Sequence, residues 1–513
     1  MPLHTSLYPV SDIREIEQAA MAGLPAGTLM QRAGQAAAQA AIALLTVPIQ
    51  EAKVLVLAGP GNNGGDALEA AHLLAGQGVQ VSVLLHADHV HQSSDAQQAF
   101  ARAKNGSVRF IPIDSPLNAT SWDLVLDGLF GIGLSRAPSG ALRALIETVN
   151  AFACPVLALD VPSGLNADTG NIVGPNGIAV EASHTITFIG NKPGLHTGQG
   201  RDYAGQVLVS DLGIDLSQFK MPHSSLNDAT RFTPCLHPRR HGSHKGSYGD
   251  VIVIGGAAGM VGAPILAARA AAKCGAGRVF AAFVDTPPAY DSLQPELMFR
   301  AVHTVDFATA ALVAGPGLGT SRAAHDVLSR AMTAHKGMVI DADALNLLAS
   351  EPELQQKFMH SHGATVITPH PLEAARLLQI STTEIQADRL LSARRLARQF
   401  NTIAILKGSG TVIAKPDGEV VINTTGNPAL ATAGTGDVLA GICGALLAQS
   451  LPAWEAALVA TWLHGKAADT LVNEGIGPIG VTASELIPCV RTLLNRFTKN
   501  PTSREAARFA DYR

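Results

Sequence analysis

The sequence predicts an α/β protein of two domains, and three observations predict it. Short apolar runs that end in glycine- or aspartate-bearing loops recur along the chain, each followed by a small-residue stretch of helical character. Glycine is plentiful at 50 residues and aromatics are scarce at 4%, which suits layers where helices lie close on strands. At 513 residues, the chain is also too long for one ordinary core.

Charge and cysteine usage narrow the function classes. With 37 basic and 41 acidic residues the formal net charge is −4, and no lysine or arginine run stands out. A nucleic-acid partner is therefore not expected. The five cysteines, 154, 235, 274, 443 and 489, are scattered and fit neither a disulfide framework nor a zinc site. No signal peptide and no membrane-spanning run is recognisable, so a soluble cytoplasmic protein is expected.

In the first half, residues 11–45 read as helix, with Ser11-Asp-Ile-Arg-Glu as a start signal. The run Ala52–Ala58 has the continuous apolar character of a strand buried on both faces. It leads into the loop Gly59-Pro-Gly-Asn-Asn-Gly-Gly-Asp66, a helix through Leu74 and a strand at Val79–Leu85. This β–loop–α–β unit binds ligands at the carboxyl ends of its strands. Two further runs, Trp122–Asp127 and Cys154–Asp160, place an acid at the end of an apolar strand, before Gly128-Leu-Phe-Gly-Ile-Gly-Leu134 and Val161-Pro-Ser-Gly-Leu165. Such loops converge over one crevice. Strands at Thr185–Phe188 and Gln206–Val209 complete a domain spanning 1–215.

Residues 216–238 contain Pro222, Pro234 and Pro238 with little periodicity and read as a linker. The basic cluster Arg239-Arg240-His241 is either solvated linker or the border of a phosphate site. A second domain, 239–500, opens with the strand Val251–Ile254 and the loop Gly255–Gly262. Strands follow at Arg278–Val284, Ala311–Ala314, Gly337–Ile340, Thr365–Ile367 and Thr402–Leu406. The last four end in Gly315-Pro-Gly-Leu-Gly319, Asp341-Ala-Asp343, Thr368-Pro-His370 and Lys407-Gly-Ser-Gly410. A hairpin across Pro416-Asp-Gly418 joins Thr411–Ala414 to Val420–Asn423. The tail, 501–513, is polar.

The stretch with the most chemistry is Ala431-Thr-Ala-Gly-Thr-Gly-Asp437, followed by the apolar helix Val438–Ala448. A glycine turn before a helix gathers N–H groups at the positive end of the helix dipole, an anion site. Asp437 at the junction is placed to take a proton from a hydroxyl attacking a phosphoryl group, or simply to cap the helix. Lys407–Gly410 offers backbone donors and one cation for a nucleotide phosphate. Asp341 and Asp343 either hold a metal or cap the helix after them. His370 is a loop histidine or a ligand contact, and His464, in an apolar helix, reads as packing. In the first half, Asn62, Asn63, Asp66, Asp127, Asp160 and Ser163 sit on crevice loops; amide and hydroxyl oxygens with a carboxylate suit a hard cation and not zinc.

These motifs resemble two enzyme families in tandem. Gly61-Asn-Asn-Gly-Gly-Asp66, Asp127-Gly-Leu-Phe-Gly-Ile-Gly133 and Asp160-Val-Pro-Ser-Gly-Leu165 are similar to the signature loops of NAD(P)H-hydrate epimerases. His244-Lys-Gly-Ser-Tyr-Gly249, Gly315–Gly319, Asp341-Ala-Asp-Ala-Leu-Asn346, Thr368-Pro-His370 and Ala431–Asp437 resemble ADP-dependent NAD(P)H-hydrate dehydratases. The motifs span nearly the whole chain, in the fusion order of the bifunctional bacterial enzymes.

The resemblance implies a Rossmann-like three-layer domain followed by a ribokinase-like domain. It implies repair of nicotinamide cofactors hydrated at ring carbon 6: epimerisation of the R and S hydrates (NADHX and NADPHX), then dehydration of the S form using ADP, giving AMP and phosphate. Carried over by motif, potassium would bind Asn63, Asp127 and Ser163. The hydrate would contact Asn62, Asn63, Gly64, Gly65, Asp66, the loop Gly131, Ile132, Gly133, Leu134, Ser135, Arg136 and Ala137, and Asp160, a catalytic residue. In the second domain it would contact Ala263, Gly317, Gly319, His370 and Asp437, the catalytic base. ADP, accompanied by Mg2+, would lie on Lys407, Gly408, Ser409, Gly410, Thr411 and Gly436. A homo-oligomer is expected. The chain departs from the family pattern at Ala67, Glu69, His72 and Asp250. The alternative reading is a ribokinase-like small-molecule kinase behind a non-catalytic N-terminal scaffold.

Overall fold

The computed structural model describes residues 5–86, 93–113, 115–333, 335–361 and 363–498; the expected tail at 501–513 lies outside them. The chain divides into two compact units, Met1–Ser225 and Leu226–Arg513.

In the first unit, seven strands form one sheet: β1 (Lys53–Ala58), β2 (Gln80–Leu85), β3 (Arg109–Ile111), β4 (Leu124–Gly128), β5 (Val156–Leu159), β6 (His184–Phe188) and β7 (Gln206–Ser210). Their order is β3-β2-β1-β4-β5-β6-β7, and each pairing is parallel. The chain builds outward from β1 on one side, then crosses back to β4 on the other. The loops after β1 and β4 therefore diverge, and a crevice opens at their carboxyl ends. Val54, Val56, Leu124, Leu126 and Leu157 face one helical layer, while Leu55, Leu57, Val125 and Val156 face the other, as period-two alternation on a doubly covered sheet requires.

In the second unit, ten strands form the sheet: β8 (Ser224–Asn227), β9 (Asp250–Gly255), β10 (Arg278–Phe283), β11 (Met298–Ala301), β12 (Ala311–Ala314), β13 (Gly337–Ile340), β14 (Ala364–Ile367), β15 (Ile403–Leu406), β16 (Val412–Ala414) and β17 (Val420–Asn423). The order is β11-β10-β9-β12-β13-β14-β15-β16-β17-β8, with a switch point between β9 and β12. The hairpin β16–β17 is antiparallel. One face is covered by the helices Gly262–Lys273, Thr435–Ala448, Ala453–Asn473 and Ala483–Phe497. The Thr435–Ala448 helix is buried almost all round. Its glycines allow that: a Cβ on Gly441 would stand 2.1 Å from the Ala267 carbonyl, and one on Gly444 2.3 Å from Val313.

The stretch 216–238 is more structured than a linker. It holds β8 and short 3-10 turns at Leu216–Gln218, Ala229–Arg231 and Thr233–Cys235, and the boundary between the units falls inside β8. The expected loops at 59–66 and 432–437 are also shorter than the sequence suggested. Their helices begin at Asn62 and Thr435, so Asn62–Gly65 and Asp437 lie in first turns and Asp66 just beyond one.

Candidate active sites

In the first unit, the crevice at the ends of β1, β4 and β5 is a cavity of about 660 Å3. Asn62, Asn63, Asp66, the stretch Gly131–Arg136 and Asp160 all line it. Ala137 does not; it packs beside Gly174, where a Cβ would come within 3.0 Å of it. Gly64 and Gly65 serve the packing of their helix. A Cβ on Gly64 would stand 2.0 Å from the Gly59 carbonyl, and one on Gly65 2.5 Å from Met30. Asn62 is exposed and accepts a hydrogen bond from the Ser93 hydroxyl (3.0 Å), whereas Asn63 turns inward and is 8% exposed.

Asp127 and Ser163 are fully buried and bonded to each other: the Ser163 hydroxyl donates to Oδ1 (2.7 Å) and its N–H to Oδ2 (2.8 Å). Burial still pushes the Asp127 carboxyl up to about 6, against the Ser163 and Leu129 donors. Asn63 lies close by, since a Cβ on Gly128 would reach its carbonyl at 3.0 Å. Both polar atoms of the Asn63 amide are buried without a hydrogen-bond partner, which calls for a further ligand.

Asp160 sits just beyond β5 at φ +63°, a left-handed conformation that a non-glycine residue adopts at a cost. The fully buried Lys192 donates its ammonium to Asp160 Oδ1 (2.6 Å), Thr187 Oγ1 (2.7 Å) and the Phe188 carbonyl (2.9 Å). A buried ammonium with these partners keeps the Asp160 carboxylate in place. A Cβ on Gly131 would fall 3.3 Å from Asp160 Oδ2 and 3.4 Å from Asn63, so glycine there leaves the space between them open. The sequence reading missed Lys192. Its signal is a lysine in Gly190-Asn-Lys-Pro-Gly194, directly after an apolar strand.

In the second unit, Asp437, Lys407, Asp341 and Glu373 converge below the start of the Thr435–Ala448 helix. Gly434, left-handed at φ +88°, precedes the helix without a side-chain cap; the Thr435 N–H bonds the Thr432 carbonyl (3.4 Å), and the N–H groups of Gly436 and Asp437 have no intrahelical acceptor. A Cβ on Gly436 would stand 3.4 Å from Lys407 Nζ and 3.8 Å from Asp341 Oδ2. Asp341 does not cap its own helix; its Oδ1 accepts from Lys407 Nζ (2.8 Å) and the Thr368 hydroxyl (2.7 Å). Asp343 accepts from the Gly319 N–H (2.8 Å), so both acids brace neighbouring loops. Gly317 and Ala263 meet, a Cβ on the glycine lying 3.3 Å from Ala263.

His370 and Glu373 form a reciprocal cap: the ring accepts from the Leu372 and Glu373 N–H groups, and Glu373 Oε2 from the His370 N–H (2.8 Å). Burial and the Lys407 charge hold the His370 pKa below its ordinary value. Burial pushes Asp437 up to about 7, helped by Asp341 and opposed by Lys407. Glu373 rises to about 7, also mainly through burial. Burial disfavours the Lys407 ammonium, yet Asp341, Glu373 and Asp437 together raise its pKa. Gly408 (φ +138°) and Gly410 (φ +59°) shape the loop after β15, over Arg389, which donates to the Leu406 and Lys407 carbonyls.

His464 is buried, and burial lowers its pKa to about 4. Arg239 stacks on Tyr248 and bonds the Gly275 carbonyl and Gln449. That is the amino-terminal end of the strands, away from Asp437.

Each of the two α/β units gathers acids at the carboxyl ends of its parallel strands, the arrangement of a two-site α/β enzyme. Comparison with known proteins supplies the family. The family described as NAD(P)H-hydrate dehydratase matches residues 251–490, and the one described as YjeF-related protein N-terminus matches residues 26–194. The bifunctional NAD(P)H-hydrate repair enzyme Nnr of Coxiella burnetii is 38% identical, covering 96% of this chain and all of the relative. Its counterpart from Escherichia coli K12 is 39% identical, covering 96% of this chain and 94% of the relative. The crystal structure of the ADP/ATP-dependent NAD(P)H-hydrate dehydratase of Bacillus subtilis, with ATP and Mg2+, is 30% identical and covers 52% of this chain and 96% of that one, at a TM-score of 0.46. The chain belongs to the family of bifunctional NAD(P)H-hydrate repair enzymes.

Proposed function

We propose that the first unit interconverts the R and S hydrates of NADH and NADPH, and that the second returns the S hydrate to the reduced cofactor at the expense of ADP. The observation that carries the second step is Asp437, a carboxyl near pKa 7 in the first turn of an uncapped helix, beside Lys407. Asp437 takes the proton from the ring hydroxyl. The hydroxyl oxygen attacks the β-phosphorus of ADP and AMP leaves. The C6–O bond then breaks, phosphate departs with the bonding pair, and loss of a proton from C5 restores the C5=C6 double bond. The helix-start N–H groups, Gly436 and the Lys407–Thr411 loop hold the diphosphate; Ala263, Gly317, Gly319 and His370 wall the hydrate. Mg2+ entering with the nucleotide would be held by carboxylate oxygens of Asp341 and Glu373 and would supply positive charge to offset the diphosphate.

In the first unit, Asp160 is the catalytic acid–base group and the loop Gly131–Arg136 receives the hydrate. The orphaned Asn63 amide beside buried Asp127 and Ser163 fits a potassium ion: one carboxylate with amide and hydroxyl oxygens suits a hard cation of low charge. It would supply a positive charge next to the bound phosphates. The cytoplasm is the assigned compartment, in keeping with five free cysteines, and the assembly is a homo-oligomer, which sedimentation tests. No helix among the described residues is long and apolar enough to cross a membrane.

The decisive assay mixes purified protein, ADP and hydrated NADH. Recovery of absorbance at 340 nm, a property of NADH, is expected. Accumulation of a stable phosphorylated alcohol instead would refute the dehydration step.

A further inference from the structure

The cavity of the first unit has a wall that none of the signature loops supplies. The helix Val10–Gly23 lies wholly before the stretch matched by the epimerase-side family, which begins at residue 26. Ile13 and Ile16 anchor it in the core, and the Val10 N–H donates to Asp168 (2.8 Å). Glu17, one turn beyond Ile13, is half-buried and faces the cavity with Asp66 and Asp160.

Asp160 is tied to Lys192 (2.6 Å). By contrast, no hydrogen bond or ion pair among the described residues occupies Glu17. The charged groups acting on it are Asp160 and Lys192 across the cavity and Arg14 on its own helix, with Asp66 coupled to it in turn. One carboxylate bonded to a buried ammonium and one untethered carboxyl in a half-buried site make an unequal pair, the arrangement that separates base from acid.

We infer that Glu17 is the second catalytic residue of epimerisation, the acid that works opposite the Asp160 base. The inference rests on the epimerase reading above. Asp160 removes the proton of the C6 hydroxyl as the C6–N1 bond breaks. The bonding pair goes to N1, which takes the Glu17 proton, and C6 becomes an aldehyde. Rotation about C5–C6 turns the other carbonyl face to N1. Reclosure reverses the transfers: N1 attacks C6, its proton returns to Glu17, and the alkoxide recovers the proton from Asp160. Nothing is consumed.

The test uses the full chain and pure R hydrate, with ADP present so that each S molecule formed appears as NADH. Wild-type epimerisation at the spontaneous rate would sink the underlying reading, not this inference alone. Given an active wild type, Glu17→Gln is expected to lower kcat of epimerisation on the order of 10²-fold or more, with KM changed less than threefold. Glu17→Asp is expected to keep at least about a tenth of the rate, because it restores the proton. Burial raises the Glu17 pKa above its ordinary value, so the wild-type rate is expected to fall as pH rises through that pKa, an alkaline limb of the profile that Glu17→Gln should lose. Dehydration of supplied S hydrate should stay unchanged in both. Wild-type kcat in Glu17→Gln, a defect confined to KM, an unchanged alkaline limb, or no recovery in Glu17→Asp overturns the assignment.

Discussion

Asp437 is under two opposed demands. As a base it must be ionised, yet burial and Asp341 favour its neutral form and bring it to about 7. Dehydration of the S hydrate is therefore expected to rise through about pH 7 and to fall away below it. Because the folded-state pKa is raised above the ordinary 3.8, the linked stability is complete below about pH 4 and is lost as pH rises through about 7. Asp437→Asn should abolish dehydration, by about 10³-fold or more, while ADP binding by calorimetry stays within threefold, because the anion site is backbone. The same variant should lose much of the fall in melting temperature between pH 5 and pH 8. Lost ADP binding would contradict this division of roles. The acids were legible in the sequence: Asp127 and Asp160 end or follow apolar strands before glycine-bearing loops, and Asp437 joins a glycine turn to an apolar helix. Their partners were not. Lys407 meets Asp341 across 66 positions and Lys192 meets Asp160 across 32, and no local pattern encodes such a pair.

At the scale of elements, the glycines at the two helix starts do different work. Gly64 lets its helix approach the turn after β1, so Gly64→Ala, which drives a methyl to 2.0 Å from a backbone carbonyl, should cost about 2 kcal/mol or more and lower the melting temperature. Gly436→Ala meets only ordinary contacts at 3.4 and 3.8 Å. It should fold like wild type but weaken ADP binding at least tenfold, by crowding the proposed phosphate position. Departures from the family pattern are compensated locally. Glu69, 5% exposed, pairs with Arg102 at 2.8 Å; Asp250 pairs with Arg278; Ala67 fills the space opposite Gly128. Arg102→Ala would strand the Glu69 charge and should cost roughly 2–3 kcal/mol, measurable by denaturant unfolding. Central strands were readable because they are apolar on both faces. Edge strands β3 and β11 were not, because they are short and half exposed, with no alternation to betray them.

For the whole molecule, each unit has its own core, and the two active sites draw on no common residue. Asp160→Asn is expected to stop epimerisation while sparing dehydration of supplied S hydrate, in parallel assays on one preparation; loss of both would mean that the units are not independent. The two-domain architecture was legible from the recurring strand–loop–helix runs. The boundary was not, because proline content suggested a slack tether where the chain in fact pairs. β8 bears a double duty: the Ser224 carbonyl accepts from the Leu7 N–H and Ser225 bridges to Ser6, while Leu226 and Asn227 belong to the second unit, where Asn227 bonds Asn423 (2.9 Å). A gene cut into two monofunctional halves would thus have to duplicate this short strand. A dehydratase fragment starting at residue 239 would carry β17 as a bare sheet edge, ready to recruit strands from its neighbours and precipitate, however intact its catalytic residues.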